Sequence, residues 1–366
     1  MKAALFCTSR YMGPAKPGVW PVPADTYSTE IAELSYQTTL DQFRLADEVG
    51  FDWVTVAEHH FAPFSLTPNP MVFAGALTQI VKRAKIALLG ASIPILNPIR
   101  VAEEMAMLDT LTGGRIIAGM LRGTGNEYVT YNLNPAESRA RFEEALELIR
   151  YAWTQKQPFA WQGRFFQYRS ICIWPRPVQD PMPPIYMSAS SPESGEFAAR
   201  NKLGIGFAFT SSPQAAGAAE HYRKQAKING WEPTPDEIIF RIAVHVADTD
   251  EQAHEDLEEA ARGPRHLGVS TANRAVESVV ADTGYYGRDR EGQRGRLFAR
   301  GDLRERVKTG QILIGSPETV WKQIVELKKL VGCGVVDFTL ATQLGERTSR
   351  AIELLGEKIA PRMKEI

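Results

Sequence analysis

The sequence predicts an α/β fold, a closed (β/α)8 barrel, on three observations. Short apolar runs alternate with amphipathic stretches, a rhythm that implies a parallel sheet with helices packed outside it. Eight such runs can be counted. A chain of 366 residues, 44% hydrophobic, can bury a core of barrel size, and barrels of this length are often one domain. The expectation is a single domain over residues 1–366.

In chain order the expected strands are Ala3–Cys7, Trp53–Ala57, Lys85–Gly90, Arg115–Met120, Ile185–Ser188, Gly206–Phe209, Ile239–Val246 and Val335–Leu340. The second is rich in aromatic and β-branched residues and follows the helix-stopping Gly50. Between the strands lie helical patterns. In ESRARFEEALELIRYAWT, Phe142, Ala145, Leu146, Ile149, Ala152 and Trp153 fall on one face. In SPETVWKQIVELKKL, Ser316 stands as N-cap, Pro317 in the first turn, and Val320, Ile324 and Leu327 point inward. A last helix, Arg347 to Met363, closes the pattern. Two segments break the rhythm. Residues 155–184 are rich in aromatics and prolines, and WQGRFFQY within them reads as a hairpin. Residues 261–309 are rich in glycine and arginine with no clean period. Irregular inserts of that length are functional lids or disordered segments, and a mobile active-site lid is expected here.

Composition narrows the function. A formal net charge of -1 and no long basic run argue against nucleic acid as the main partner. The cysteines, Cys7, Cys172 and Cys333, are odd in number and far apart, which suits a reducing cytoplasm. The start carries only five consecutive apolar residues after Lys2, too few for a signal peptide, and no stretch approaches a membrane span. The expected location is cytoplasmic.

Three constellations carry chemistry. In VAEHHFAPFSLTPNP, Glu58, His59 and His60 stand where a strand exits into a loop. Adjacent strand residues point to opposite faces, so the two imidazoles cannot easily grip one ion, and no metal site is expected. A histidine at the C-terminal end of a barrel strand suits a general base, since that face carries the active site; a structural histidine bracing a neighbouring loop fits the sequence equally. In RIIAGMLRGTGNEY, Arg122 precedes Gly123, Thr124 and Gly125. A guanidinium beside small residues and free amides suits a phosphate, although the missing third glycine rules out a dinucleotide fingerprint. In YMSASSPESGEFAARNKLG, a strand runs into serines and then a helix with Pro192 near its first turn. Such a helix start is an anion site, or plain N-capping by Ser190 or Ser191. Both phosphate candidates follow neighbouring strands on one barrel face, near the histidine strand.

Together these residues resemble the bacterial luciferase-like, flavin-dependent monooxygenase family. The resemblance runs from GFDWVTVAEHHF through NPIRVAEEMAMLDTLTGGRIIAGMLRG and the serine loop to the IGSPETV helix, and EHHF followed by NP looks most like the alkanal monooxygenase type. It implies a (β/α)8 barrel that binds reduced FMN and reacts it with oxygen. By that resemblance His59 is the catalytic base, Arg122, Thr124, Ser190, Ser191 and Ser194 hold the FMN phosphate, and Phe209 lies beside the flavin. Leu89, Gly90 and Ala91 pack on its ring, in a segment that often holds a non-prolyl cis peptide. The 261–309 insert matches the family's mobile loop. Phe61, Phe64, Met120, Leu121 and Tyr128 are candidates for an apolar substrate wall. Leu121 stands where luciferase has a reactive cysteine, and Ser190 where it has a glutamate, so neither thiol chemistry nor light emission is implied. No nicotinamide fingerprint is present, so a separate flavin reductase is the expected partner, with a homodimer as the assembly and a small hydrophobic molecule as the substrate. Two other readings stand beside this one: a deazaflavin-dependent oxidoreductase of the same barrel type, and a non-catalytic flavin-binding partner subunit.

Overall fold

A computed structural model describes residues 1–14, 19–189, 191–208, 210–262, 272, 274–280, 283–284, 303–341 and 343–366. Ser190, Phe209 and most of the 261–309 insert, with the lid expected there, lie outside the described residues. Among the described residues the strands are β1 (Lys2–Phe6), β2 (Trp53–Thr55), β3 (Lys85–Ala87), β4 (Ala91–Ser92), β5 (Ile116–Leu121), β6 (Phe159–Gln162), β7 (Gln167–Ile171), β8 (Ile185–Ser188), β9 (Gly204–Phe207), β10 (Ile238–Val246), β11 (Ile312–Gly315) and β12 (Val335–Leu340).

Eight of them close a parallel ring in the order β1-β2-β3-β5-β8-β9-β10-β12. These are the eight strands expected from the sequence, two with the expected ends and the others with ends shifted by at most three residues. β11 was not expected. It pairs with β10 through Ala243–Val246, beyond the three β10 residues that face β9. Its four residues follow the irregular 261–309 stretch, which hid it. β6 and β7 form the expected antiparallel hairpin.

Helices follow from caps as much as from apolar faces. Asn69 and Asn97 each accept two backbone N–H bonds at the starts of the helices Pro70–Ile80 and Pro98–Thr112, where proline takes the first position. The second of these helices ends at Gly113, which adopts the left-handed conformation at φ 67°. The helix Ser138–Thr154 buries the six apolar residues expected of it, and Pro317–Val331 starts at Ser316, whose hydroxyl accepts from Thr319 N–H. The final helix is interrupted by a π-helical turn at Leu355–Ile359.

Period-two alternation builds the barrel interior in layers. Ala4, Trp53, Ala87, Ile117, Tyr186, Ile239 and Val335, from seven ring strands, form an apolar plug. Trp53 and Tyr186 meet edge to face, with ring centroids 5.7 Å apart. Two residues further on, four of those strands present Phe6, Thr55, Arg241 and Asp337. The layer above the plug is therefore partly charged, and it lies toward the strands' C-terminal ends.

Candidate active site

A cavity of about 270 Å³ opens at those C-terminal ends. It is lined by Ala57, Glu58 and His59 from the loop after β2, by Leu89 and Gly90 after β3, and by Met120 and Leu121 at the end of β5 with Arg122, Gly123 and Thr124 just beyond it. Ser188, Ser194, Phe207, Arg241 and Asp337 complete its far side and floor. Thus β2, β5 and the serine loop, far apart in sequence, converge on one space.

The first histidine pair resolves into two separate bonds. His60 Nε2 lies 3.1 Å from Glu58 Oε1, with both side chains buried, and Glu58 Oε2 accepts from Ser92 N–H at 3.2 Å. Burial pushes the Glu58 carboxyl above the usual range, and the nearby Glu127 adds to that, against the hydrogen bonds from His60 and Ser92. His59 turns to the cavity instead: its Nδ1 is 3.3 Å from Glu127 Oε1, and its ring meets Phe64 edge-on at 5.1 Å. A carboxylate can only accept, so Nδ1–H donates to Glu127 and Nε2 is left for chemistry. β2 ends at Thr55, so the opposite orientations of the two imidazoles come from the loop and its carboxylates, not from continued strand alternation.

Glu127 also ties this histidine to the arginine loop. Its Oε2 accepts from Thr124 N–H at 2.6 Å, closing a capping box on the short helix Gly125–Thr130. Gly123 makes the turn possible. Its φ is +85°, and a Cβ there would sit 2.9 Å from Glu127 Oε2. Gly90 serves close packing of β3 on β2, since its Cβ would come within 2.3 Å of Ala57 Cα. The cis peptide bonds among the described residues all precede proline, so Leu89–Gly90–Ala91 carries none.

After β8, the strand next to β5 in the ring, Ser191 caps the helix Pro192–Arg200: its hydroxyl accepts from Ser194 N–H at 3.3 Å and lies 2.9 Å from Ser194 Oγ. Ser194 lines the cavity; Ser191 is buried behind it. Ala91 is buried in β4, paired with Met120. Phe64 stands behind His59. Tyr128 is buried against Val280 and donates to the Arg122 carbonyl. Phe61 is exposed, at φ 56°, beside Trp20 and away from the cavity. These three aromatics do not line the cavity, whereas Met120 and Leu121 do.

Sequence reasoning missed Glu127, Arg241 and Asp337. Glu127 was readable as the fourth residue of a T-x-x-E capping box. Arg241 and Asp337 were readable as lone charges in the apolar runs IIFRIAVHV and VVDFTL.

The residues present suit a flat ring system carrying a phosphate: Leu89, Met120, Leu121 and Phe207 supply apolar walls, and Arg122 and Ser194 supply donors in the same space. The family model for luciferase-like monooxygenases matches residues 15–332. The chain belongs to the luciferase-like monooxygenase family. Its members are oxidoreductases. The chain is 28% identical over 173 residues to the oxygenase component of a flavin-dependent trigonelline monooxygenase from Acinetobacter baylyi, covering 46% of this chain and 48% of that one. It is 31% identical over 161 residues to an alkanal monooxygenase alpha chain from Photorhabdus luminescens, covering 44% of each. The chain spans about half the length of the curated relatives it matches. In structure it resembles a monooxygenase from Streptomyces bottropensis, with a TM-score of 0.75 and 25% identity over 99% of both chains. No helix among the described residues is long and apolar enough to cross a membrane.

Proposed function

We propose that this chain is the oxygenase component of a two-component monooxygenase that takes reduced FMN from a separate reductase and oxidises a small, largely apolar organic substrate. One observation carries the reading: Glu127 holds His59 with one oxygen and the Arg122–Thr124 loop with the other. A proton-transfer group and a phosphate-binding loop are thereby coupled across one cavity. Arg122, Thr124 and Ser194, backed by Ser191, would hold the phosphate, and Leu89 and Gly90 would pack on the ring. When bound, reduced flavin supplies the electrons with which dioxygen delivers one oxygen atom to the substrate.

The chain's own residues then have three tasks. His59 takes or gives a proton at Nε2 while Glu127 keeps Nδ1–H in place. Met120, Leu121, Phe207 and the apolar plug below keep water from the reacting centre. Glu58 and His60 brace the loop that carries His59. The chain works as a single barrel domain, paired in a homodimer.

Anaerobic titration with reduced FMN, followed by mixing with labelled dioxygen and a substrate panel, tests the reading. Mass spectrometry should find one labelled oxygen in a product. A chain that binds a reduced deazaflavin and not reduced FMN is the hydride-transfer enzyme instead. One that binds FMN but releases only peroxide against every substrate is the non-catalytic subunit.

A further inference from the structure

The floor of the cavity holds an ion pair that the flavin reading does not use. Arg241 on β10 and Asp337 on β12 are paired in register. Arg241 Nε donates to Asp337 Oδ2 at 2.7 Å, and the Asp337 side chain is fully buried. Asp337 Oδ1 accepts from Thr55 Oγ1 at 2.7 Å. The guanidinium carbon sits 3.5 Å from the centroid of the Phe6 ring. Arg241 is thus clamped on one edge and one face. Among the described residues its hydrogen bond runs through Nε alone, and both terminal nitrogens belong to a side chain that is 13% exposed and lines the cavity.

Fold stability does not account for this arrangement. A buried ion pair is often no more stable than an apolar pair of the same size, because desolvating two charges offsets their attraction. The neighbouring layer shows the alternative, with Ile239 and Val335 at the preceding inward positions of the same two strands. A charged donor left without an acceptor in a largely apolar space adds a further cost, which a ligand would relieve. The fork is also held rigid, as recognition of a planar acceptor requires.

Charge decides what kind of acceptor. Asp337 already balances the guanidinium, and of the cavity's other charged side chains the carboxyls Glu58, Glu127 and Glu143 outnumber the guanidiniums Arg122 and Arg139, the first of which is assigned to the phosphate. A carboxylate there would add negative charge beside those carboxyls, whereas a carbonyl oxygen takes the two N–H donors without it. We propose that Arg241, positioned by Asp337, Thr55 and Phe6, is a specificity-determining residue that donates to a neutral sp² oxygen of the substrate, as in a ketone, ester or lactam. The inference takes the cavity as the substrate site of the monooxygenase proposed above.

Three probes of similar shape test it in the full chain by ligand-detected NMR titration: cyclohexanone, methylenecyclohexane and cyclohexanecarboxylate. The ketone should bind about tenfold tighter than the alkene, on the scale of a hydrogen bond to a charged donor, and tighter than the carboxylate. Arg241→Lys should shrink that preference, and the paired change Arg241→Met with Asp337→Leu should abolish it. The Thr55 hydroxyl keeps its contact with the Leu5 carbonyl in the pair. Reduced-FMN affinity should stay at the wild-type value in both variants. Equal binding of ketone and alkene, no ketone binding, or a preference for the carboxylate overturns the proposal. So does a loss of FMN affinity in Arg241→Lys, which would make Arg241 a flavin contact. If the paired variant does not fold, Arg241→Lys alone decides. A wild-type chain that prefers the ketone but ignores reduced FMN would sink the flavin reading and leave this one standing.

Discussion

Two adjacent imidazoles do different work because each faces a different carboxylate. His60 is spent on Glu58 inside the loop; His59 gives one nitrogen to Glu127 and keeps the other for the cavity. His59→Ala should therefore keep reduced-FMN binding but slow oxygen transfer by roughly 10²–10⁴-fold, the range of general acid–base catalysis. His60→Ala should lower the unfolding midpoint more than it slows the reaction, because it strips a partner from a buried carboxyl. Single-turnover assays from pre-reduced protein, with thermal unfolding beside them, separate the two effects; a normal rate in the first variant and a dead but well-folded second would reverse the roles. Arg122→Ala should weaken reduced-FMN binding by roughly 1.5–3 kcal/mol, the scale of a charged hydrogen bond, in an anaerobic titration. An unchanged affinity would remove Arg122 from the phosphate site.

At the scale of elements, the site exists because strand ends approach more closely than side chains usually allow. Gly90 is the clearest case: a methyl there would meet Ala57 Cα at 2.3 Å and Glu58 N at 2.6 Å, both backbone atoms that cannot swing aside. Gly90→Ala should cost about 1–3 kcal/mol or more in urea unfolding, as overpacking does. It should also disturb His59, two residues past Ala57, so FMN affinity and turnover should fall with stability. A variant as stable and active as wild type would show that the β2–β3 contact is looser than described. Helix entry was legible in the sequence through Asn-Pro and Ser-Pro pairs, since capping is local chemistry. The orientation of the histidines was reached by strand alternation, yet β2 stops at Thr55, and the loop's own hydrogen bonds set it. β11 was missed because four apolar residues beside an aperiodic stretch carry no period to read.

At the scale of the whole molecule, two buried carboxylates tie separate elements together and make stability depend on pH in acid. Burial opposes ionisation of Asp47, but backbone N–H bonds from Ala84, Lys82 and Arg83, at 2.7, 2.9 and 2.9 Å, hold its carboxylate below the ordinary range. Asp256 is likewise held down, despite burial, by His245, Gln252 and Arg347, which join β10 to the helices Asp250–Arg262 and Glu346–Leu354. A folded pKa below the unfolded one means stability that is present above the unfolded value, about 3.9, and lost as pH falls through the folded value. Asp47→Asn should therefore be less stable than wild type at pH 7, and the gap should close below about pH 4. Chemical denaturation at both pH values measures it; a gap that persists undiminished in acid would show that packing, not charge, is the cause. By itself the sequence determined the barrel, the helix starts, the family and the three stretches that meet at the cavity, because periodicity, caps and motifs are properties of neighbouring residues. Only the tertiary structure decided that Glu127 joins the histidine to the arginine loop, that Phe61 faces away, and that Arg241 and Asp337 form a charged floor. Those are contacts between residues 68 and 96 positions apart, or the lack of one, and they are fixed by ring closure, which brings together strands that no local pattern links.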